Sequence, residues 1–404
     1  MPDMNLAILI LFGTFILLLV LRVPVAITLG VSSIAAALYL GIPLLLISQR
    51  MVKGIGSFSL LAIPFFIISG EIMAAGGISR KLIEFSNIFV GRIPGGLAQV
   101  NVLTSMFFGG ISGSAVADVS SNGTILMPAM KQAGYDDDFS VAVTVASSCQ
   151  GVIIPPSHNM IIYSMAAGGV SVGSLFLAGV VPGVFLGLAL MVLSYFMAVK
   201  RKYPREGKPA LKDALRIIRD SVLGLFTIVI IMGGVLSGVF TATESAAIAS
   251  VYAFLVTFFV YREIPLSRMK GILFNTMKTL AMVMSVIATA SAFGYIMSYL
   301  KIPSMVAQAL LSVSDNKFVL LLLINVMLLV LGAVMDMAPI IIIVTPILMP
   351  IITALGIDPV HFGIVFILNL AVGLCTPPVG SALFVGCSIG KISIEKATKA
   401  LLPF

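Results

Sequence analysis

Residues 125–156, ILMPAMKQAGYDDDFSVAVTVASSCQGVIIPP, recur in the same chain as residues 347–378, ILMPIITALGIDPVHFGIVFILNLAVGLCTPP. The two copies align without a gap at a constant offset of 222 and match at ten of thirty-two positions. In a membrane protein, repeats in which Gly and Pro interrupt corresponding hydrophobic segments are typical of secondary transporters whose site lies between the halves. The repeat therefore predicts a chain made of two related halves around a central site.

The composition around this repeat is that of an all-α polytopic membrane protein. Of the 404 residues, 59% are hydrophobic and 10% are charged, and the mean hydropathy is +1.16, whereas about 25% of an ordinary globular domain is charged. Apolar stretches long enough to span a bilayer, about 20 residues each, recur along the chain and leave no room for a soluble domain. Cys149, Cys375 and Cys387 lie in apolar segments without metal-ligand spacing, which indicates packing residues and no transition metal.

The pattern of apolar stretches predicts full spans and two broken segments. The first stretch follows no basic region and leads to no small-residue cleavage site, so a retained helix is expected. Two segments, 97–133 and 318–355, are too long for one span and are interrupted at 109–118 and 332–339, which favours re-entrant hairpins. Segments 80–90 and 304–314 have an amphipathic pattern and are expected at the interface. The predicted spans are 5–21, 25–47, 58–75, 139–167, 174–199, 221–240, 244–262, 270–299 and 361–390.

Loop charge predicts the orientation. Loop 200–220 carries eight Lys or Arg against three acids, and loop 262–278 carries four against one, so both are expected in the cytoplasm. The number of membrane crossings between these loops and the amino terminus then places the amino terminus outside. By the same count, the first hairpin enters the membrane from the cytoplasm and the second from outside, so the two copies are expected to be inverted relative to each other. The net charge of +8 is explained by these loops, and the absence of aromatic-plus-basic stripes argues against nucleic acid as a partner.

The hairpin tips read GGISGSAVADVSSNG (109–123) and GAVMDMAP (332–339). Hydroxyls, freed carbonyls and one carboxylate suit a hard monovalent cation, although small residues also allow close helix packing. The coincidence of the cluster with a break in both copies favours a site. Asp336 at mid-depth costs at least about 2.5 kcal/mol unless it is paired or used, so a functional role is expected. Asp118, four positions further along when the copies are superposed, suits either a site or a helix cap.

The interrupted helices read GVIIPPSHN (151–159) and GLCTPPVGS (373–381). A proline pair removes backbone donors and frees carbonyls about a turn earlier. A plain kink is the alternative, but two pairs at the same repeat position, each with a Gly four residues before it, favour a carbonyl-lined break. Such breaks hold sodium in transporters, while half-helix amino ends face anionic groups. Glu71 and Glu244 also interrupt apolar segments, and a structural and a functional role suit them equally. The sequence contains no phosphate-binding loop, so an ion gradient or a partner protein must supply the energy.

Four strings, GGISGSAVADVSSNGTILMPAM, GVIIPPS, TPILMPI and CTPPVG, resemble the large membrane subunit of the tripartite ATP-independent periplasmic (TRAP) transporters. The resemblance implies an elevator fold, in which two hairpins and two interrupted helices slide against a scaffold in the bacterial inner membrane. It also implies a small four-helix membrane subunit and a soluble periplasmic binding protein that delivers an organic acid anion, such as a C4-dicarboxylate or sialic acid.

Carried over by position, the resemblance also implies the bound ion and its ligands. The expected cofactor is Na⁺, held in each half between a hairpin tip and an interrupted helix, and the anion site is expected between the two tips. The first sodium site would comprise Ser112, Ser114, Gly151, Ile154 and Pro156. The repeat offset of 222 then predicts a second site, which would comprise Gly332, Asp336, Gly373, Thr376 and Pro378. The candidate substrate residues are Ser157, His158, Asn159, Ser121 and Asn122, although a lone His such as His158 is more often a packing residue.

The expected organisation has four parts, 1–75 with scaffold helices, 76–170 with the first transport half, 171–300 with scaffold helices and basic loops, and 301–404 with the second transport half. Helix 183–199 has no partner in the second copy, so a final scaffold helix is expected to be missing. The rival interpretation is a sodium/anion symporter or exchanger that works without a binding protein. An intramembrane enzyme would have to rely on Asp118 and Asp336, both in hairpin breaks, so a non-enzyme is expected.

Overall fold

The computed structural model of the chain describes residues 3–207, 210–313 and 316–404. In these residues it contains nineteen α-helices and no β-strand, which confirms the predicted all-α class. The remaining residues fall in the predicted amino-terminal division, the basic loop 200–220, the segment 304–314 and the 301–404 division, and those parts of the predictions lie outside the described residues.

The helices follow one another with short connections. Residues 256–261 extend the twelfth helix as one π-helical segment. The bounds are α1 (Met4–Val20), α2 (Val25–Leu40), α3 (Leu44–Ile55), α4 (Ala62–Ala75), α5 (Ile78–Val90), α6 (Gly96–Ser112), α7 (Ala115–Gln132), α8 (Asp137–Gly151), α9 (His158–Ala166), α10 (Val172–Arg201), α11 (Leu211–Leu236), α12 (Ala242–Leu255), α13 (Met269–Tyr299), α14 (Ile302–Val313), α15 (Lys317–Val334), α16 (Met337–Ala354), α17 (Pro359–Leu374), α18 (Ser381–Gly390) and α19 (Ile394–Leu401).

Local sequence explains where several helices begin and end. Asp358 caps α17 by accepting hydrogen bonds from the Val360 and His361 N–H groups at 2.8 and 3.0 Å, as short polar side chains do at helix starts. Thr241 and Glu244 form a reciprocal capping box at α12, so the structure gives Glu244 a structural role.

The single span expected at 25–47 is wrong. Gly41, with φ +69°, ends α2 in the left-handed conformation that favours glycine, and α3 starts after Pro43. The error arose because Ile42 keeps the stretch apolar through the turn.

Two groups of helices are visible in the packing. In the first, α13 packs against α2, α3 and α4, while α12 packs against α4 and α11, and α1 packs against α2. We call this group the outer group. Many of its large apolar side chains are exposed, for example Leu9 at 68% and Val20 at 73%, as expected of a surface that meets lipid.

The second group, which we call the hairpin group, consists of α6 to α9 and α15 to α18. Helices α6 and α7 both pack against α8, and α15 and α16 both pack against α17. The halves also cross, because α9 packs against α16 and α18 packs against α7. Helix α10, which the division at 171–300 groups with the scaffold, packs against α6, α8, α9 and α17 of the hairpin group.

The helix bounds follow the sequence repeat. Helices α7 and α16 differ by 222 at both ends, and α8 and α17 begin 222 residues apart. Both Pro155–Pro156 and Pro377–Pro378 are cis. The hairpin arms have 17 or 18 residues, which is about 26 Å at 1.5 Å per residue. This is longer than half of a hydrocarbon core of about 30 Å. A hairpin tip at the middle of the membrane therefore requires that the arms are tilted or that their outer ends lie outside the hydrocarbon core. The inverted orientation of the copies stays a prediction.

Five of the described helical segments are individually long and apolar enough to cross a membrane, and a sixth candidate is the pair α4 and α5, bent by 73°. Four shorter apolar helices, α1, α2, α17 and α18, add to these. The five long segments are residues 172–201, 242–261, 266–299, 317–334 and 337–354.

Candidate ion and substrate site

The tip of the first hairpin is a two-residue turn held by serines. Gly113 adopts φ +61° between α6 and α7, a conformation that favours glycine. The Ser112 hydroxyl oxygen accepts the Ser114 N–H at 3.3 Å, and the Ser114 hydroxyl oxygen accepts the Ala117 N–H at 3.3 Å, which caps α7. Each hydroxyl oxygen has a second lone pair, so both serines can still offer an oxygen to a cation.

The first interrupted helix meets this tip at very close range. A Cβ on Gly151 would lie 3.2 Å from the Gly109 Cα, and a Cβ on Gly110 would lie 3.1 Å from the Pro155 carbonyl oxygen. Only glycine allows backbones to approach this closely. The structure therefore brings the end of α6 and the first break against each other, at Gly109 with Gly151 and at Gly110 with Pro155.

Most backbone carbonyl oxygens at this break are free of hydrogen bonds from the described residues, which we call unengaged. Gly151 accepts the Ile154 N–H at 3.2 Å, whereas the carbonyls of residues 152–156 accept no hydrogen bond from the described residues. Since buried carbonyls are normally paired, this run of unengaged oxygens is suited to a cation. Among the predicted backbone ligands, the carbonyl oxygens of Ile154 and Pro156 accept no hydrogen bond from the described residues, whereas that of Gly151 accepts one.

The tip of the second hairpin is built differently. Helix α15 ends at Val334, Met335 is extended, and Asp336 caps α16 by accepting the Met337 N–H at 3.0 Å. Asp336 is exposed when this chain is considered without partner subunits or lipid. At the 222 offset, Asp336 corresponds to Ser114, since each caps the second arm of its hairpin.

The second interrupted helix also lies against its hairpin. A Cβ on Gly332 would lie 3.2 Å from the Gly373 Cα, and the Val379 N–H donates to the Ala333 carbonyl at 3.0 Å. The structure thus brings Gly332 and Gly373 of the predicted second site together.

The oxygens of the second break converge on one point. The carbonyl oxygens of Thr376 and Leu374 lie 2.9 and 3.3 Å from the position that a Cβ on Gly380 would occupy. Neither accepts a hydrogen bond from a described residue. The Thr376 hydroxyl donates to the Val372 carbonyl at 2.8 Å, and Pro378 is exposed. Carbonyl oxygens therefore line both breaks, and the second one is more open.

The predicted substrate residues separate into two places. Ser157 is fully buried, and its hydroxyl has no hydrogen-bond partner in the described part of the chain. Asn159 is 4% exposed, and the His158 Nδ1 lies 3.2 Å from the position of a Cβ on Gly113, so this trio lies beside the first tip. By contrast, the Ser121 hydroxyl lies 2.6 Å from that of Ser79 on α5.

A buried polar row between α6 and α8 was not predicted. The Ser105 hydroxyl donates to that of Ser147 at 3.2 Å, Ser147 donates to the Asn101 amide oxygen at 3.2 Å, and the Asn101 amide donates to Thr144 at 2.6 Å. The available signal was the three- and four-residue spacing of these polar residues on two apolar helices. Asn122 joins Asp118 in a second buried pair.

Comparison with known proteins decides the family. The profile of the family described as "Tripartite ATP-independent periplasmic transporter, DctM component" matches residues 12–404. The chain belongs to this family. The predicted resemblance to the TRAP large membrane subunit is thereby confirmed, and by its description a DctM component is one part of a tripartite transporter.

Two relatives illustrate the range of the family. The chain is 46% identical over 399 residues to the uncharacterized protein YgiK of Salmonella typhimurium, covering 98% of this chain and 92% of that protein. It is 41% identical over 356 residues to the sialic acid TRAP transporter large permease protein SiaM of Vibrio cholerae, covering 88% and 83%.

A solved structure supports the fold. The YdaH transporter of Alcanivorax borkumensis, described as having an unusual topology, matches with a TM-score of 0.63 over 87% of this chain and 83% of that one. The identity is 14%, so the likeness concerns the fold alone. It places this DctM chain among multi-pass transporter folds.

Proposed function

We propose that this DctM chain is the membrane permease of a sodium-driven importer for an organic acid anion in the bacterial inner membrane. The observation that carries the proposal is the pair of breaks at 152–157 and 375–380, each lined by unengaged carbonyl oxygens and each in contact with a hairpin tip. Hard cations prefer such oxygen ligands, and discontinuous helices present them in secondary transporters.

The first sodium ion is held by Ser112 and Ser114 together with the carbonyls of Ile154 and Pro156. The second is held by the carbonyls of Leu374 and Thr376, with the Asp336 carboxylate as the charged ligand. In both sites the ion binds to a hairpin tip and to a broken helix at the same time. The tip is therefore ordered only when sodium is bound.

The anion binds between the two tips at the amino ends of α9 and α18. Helix amino ends carry partial positive charge and unpaired N–H groups, which suits a carboxylate at a place where sodium adds further positive charge. The unpartnered Ser157 hydroxyl at the start of α9 supplies a donor there. A relative that is 41% identical is named for sialic acid, and a sugar acid or a C4-dicarboxylate is the proposed substrate class.

Transport is an elevator movement of the hairpin group against the outer group. The movement needs the two tips to travel with their broken helices, and the contacts of α6 with α8 and of α15 with α17 meet this need. A small four-helix membrane subunit completes the scaffold, and a soluble periplasmic binding protein delivers the anion. The loops at 200–220 and 262–278 face the cytoplasm and the amino terminus faces outside.

A second candidate function is a sodium/anion symporter or exchanger that needs no binding protein. The same paired breaks support it, because they supply the ion sites without reference to a partner. An enzyme has no such support, since a relative is named as a permease. The two carboxyl groups on which an enzyme would have to rely serve a helix cap, in Asp336, and a buried amide pair, in Asp118.

The test is uptake by proteoliposomes that contain the permease and the small subunit, measured with a panel of labelled organic acids. We expect accumulation of one acid class when an inward sodium gradient and the binding protein are both present. Uptake that is equally fast without the binding protein would favour the second candidate. Uptake that ignores the sodium gradient would contradict both.

A further inference from the structure

Two of the three cysteines meet where the two halves of the hairpin group cross. The Cys375 Sγ lies 2.8 Å from the Cys149 Sγ, and the two residues are 226 positions apart in the chain. Cys149 belongs to α8 and Cys375 directly follows α17, so the pair joins the two interrupted helices. The repeat does not explain this contact, because the offset of 222 places Ala371 opposite Cys149. The proposed sodium sites use neither thiol.

The Cys375 thiol rests against α8 as well as against its own helix. Its Sγ lies 3.8 Å from the Ala371 carbonyl oxygen and 4.0 Å from the Val145 carbonyl oxygen of α8. A thiol is only a weak donor and a weak acceptor, so these contacts place the sulfur without blocking its chemistry. Cys149 is 4% exposed, whereas Cys375 is half-buried. A reagent therefore reaches the pair from the Cys375 side.

The second break gives a small oxidant access to Cys375. Pro378 and Val379 in the same break are exposed when this chain is considered without partner subunits or lipid. Hydrogen peroxide is small and uncharged, so it suits such an opening in a membrane protein. Once Cys375 is oxidised, the Cys149 sulfur is already in contact with it, and groups held in contact react far faster than free ones.

We propose that Cys149 and Cys375 are a reversible modification site, at which a peroxide links the two interrupted helices by a disulfide. The Cys375 sulfur attacks one peroxide oxygen, the O–O bond breaks, and Cys375 becomes a sulfenic acid while the thiol proton leaves with the released hydroxide as water. The Cys149 sulfur then attacks the Cys375 sulfur, the S–O bond breaks, and a second water leaves with the Cys149 proton. Two thiols are oxidised and one peroxide is reduced to two waters. A dithiol reductant restores both thiols.

The place of the bond gives it a consequence for transport. Leu374 and Thr376, whose carbonyl oxygens are proposed for the second sodium ion, are the direct neighbours of Cys375. A covalent bond to α8 fixes this break and removes the freedom that it needs to close around an ion. Sodium-driven uptake is therefore lost in the cross-linked chain and returns on reduction. This consequence rests on the proposed function, whereas disulfide formation does not.

The direct test counts free thiols in the membrane-reconstituted parent chain, so it does not depend on the folding of a variant. After treatment with hydrogen peroxide or buffer, the chain is denatured and labelled with a polyethylene-glycol maleimide, which adds one step of mobility on a gel for each free thiol. The chain has three cysteines. We expect three labels in buffer, one after peroxide, and three again when dithiothreitol follows the peroxide. Digestion of the peroxide-treated chain is expected to give one linked peptide that contains Cys149 and Cys375.

Two variants show which thiols react. Cys387 on α18 is 6% exposed and has no such sulfur contact with the pair among the described residues. Cys387→Ala is therefore the matched control and is expected to go from two labels to none. Cys375→Ala leaves only enclosed thiols and is expected to keep two labels. Three labels on the peroxide-treated parent chain, labels that dithiothreitol does not restore, or equal loss of the Cys149 label in Cys375→Ala would overturn the proposal.

The uptake test is separate. Peroxide is expected to lower sodium-driven uptake by the parent chain and by Cys387→Ala in proportion to the fraction of cross-linked chains, and dithiothreitol is expected to restore it. Uptake by Cys375→Ala, relative to its own untreated rate, is expected to stay level. An equal loss in Cys375→Ala would contradict the consequence for transport while the thiol count decides disulfide formation. An absence of sodium-driven uptake in every untreated chain would instead contradict the proposed function.

Discussion

Replacing Gly373 by Ala tests whether the close approach of the second hairpin to its broken helix holds sodium. A Cβ at this position would lie 2.6 Å from the Gly332 Cα, whereas carbon atoms in contact prefer about 3.5 to 4.0 Å. The two backbones must therefore separate by about 1 Å. Overpacking of this kind costs about 1 to 3 kcal/mol. The gain of about 1 kcal/mol for Ala over a helical Gly applies with and without sodium, so it does not change the sodium affinity.

Under the proposed function sodium holds the tip against the break, so the strain is expected to fall mainly on the sodium-bound state. At 1.4 kcal/mol per tenfold change, a cost of about 1 to 3 kcal/mol raises the half-saturating sodium concentration by about 5- to 140-fold. The assay is the sodium dependence of labelled-acid uptake in proteoliposomes. Gly294→Ala on α13 is the matched control, since no atom lies within 4 Å of its Cβ position. An unchanged sodium dependence in Gly373→Ala would refute this reasoning.

Three further predictions concern the tips and the polar surface. Asp336→Ala is expected to abolish sodium-driven uptake without loss of membrane insertion, as judged by uptake and by the yield of monodisperse protein, and retained sodium dependence would remove Asp336 from the mechanism. The double change Ser112→Ala and Ser114→Ala is expected to weaken apparent sodium affinity in the same assay, and parent-like affinity would exclude the first site as described. Asp136, at the surface end of α8, accepts a hydrogen bond from the Tyr203 hydroxyl at 2.6 Å, and this bond together with a neighbouring arginine lowers the pKa of Asp136. The ionised Asp136 therefore stabilises the folded protein at pH values above its unfolded pKa of about 3.9, and this stabilisation is lost as the pH falls below that value. Tyr203→Phe is expected to shrink this acid-side fall in melting temperature, and an identical pH profile in the two chains would contradict it.

Much of the helix order could be predicted from the sequence, because apolar length and loop charge are local properties. The breaks expected inside 97–133 and 318–355 are present as the turns between α6 and α7 and between α15 and α16, and the break near 152–157 follows from the proline pair. That these helix pairs re-enter the membrane stays a prediction. The turn at Gly41 was missed because the surrounding residues are apolar, although Gly41 and Pro43 are both residues that often mark turns.

The parts of the site that depend on tertiary contacts could not be predicted. Sequence spacing places Ser114 and Asp336 in equivalent positions, but only the structure shows that both cap a helix and that α9 packs against the opposite half. Ser121 illustrates the same limit, because it was a candidate substrate residue and its hydroxyl lies 2.6 Å from that of Ser79. Residues that act through long-range contacts leave little local signal.

The proposed function requires that sodium and an organic acid anion cross the membrane together. Radioactive sodium and labelled acid can be measured in the same proteoliposomes, with the binding protein present. Both labels are expected to enter in a fixed ratio, and removal of either one is expected to stop the other. Entry of the acid with no sodium influx, at the rate seen with sodium, would contradict it.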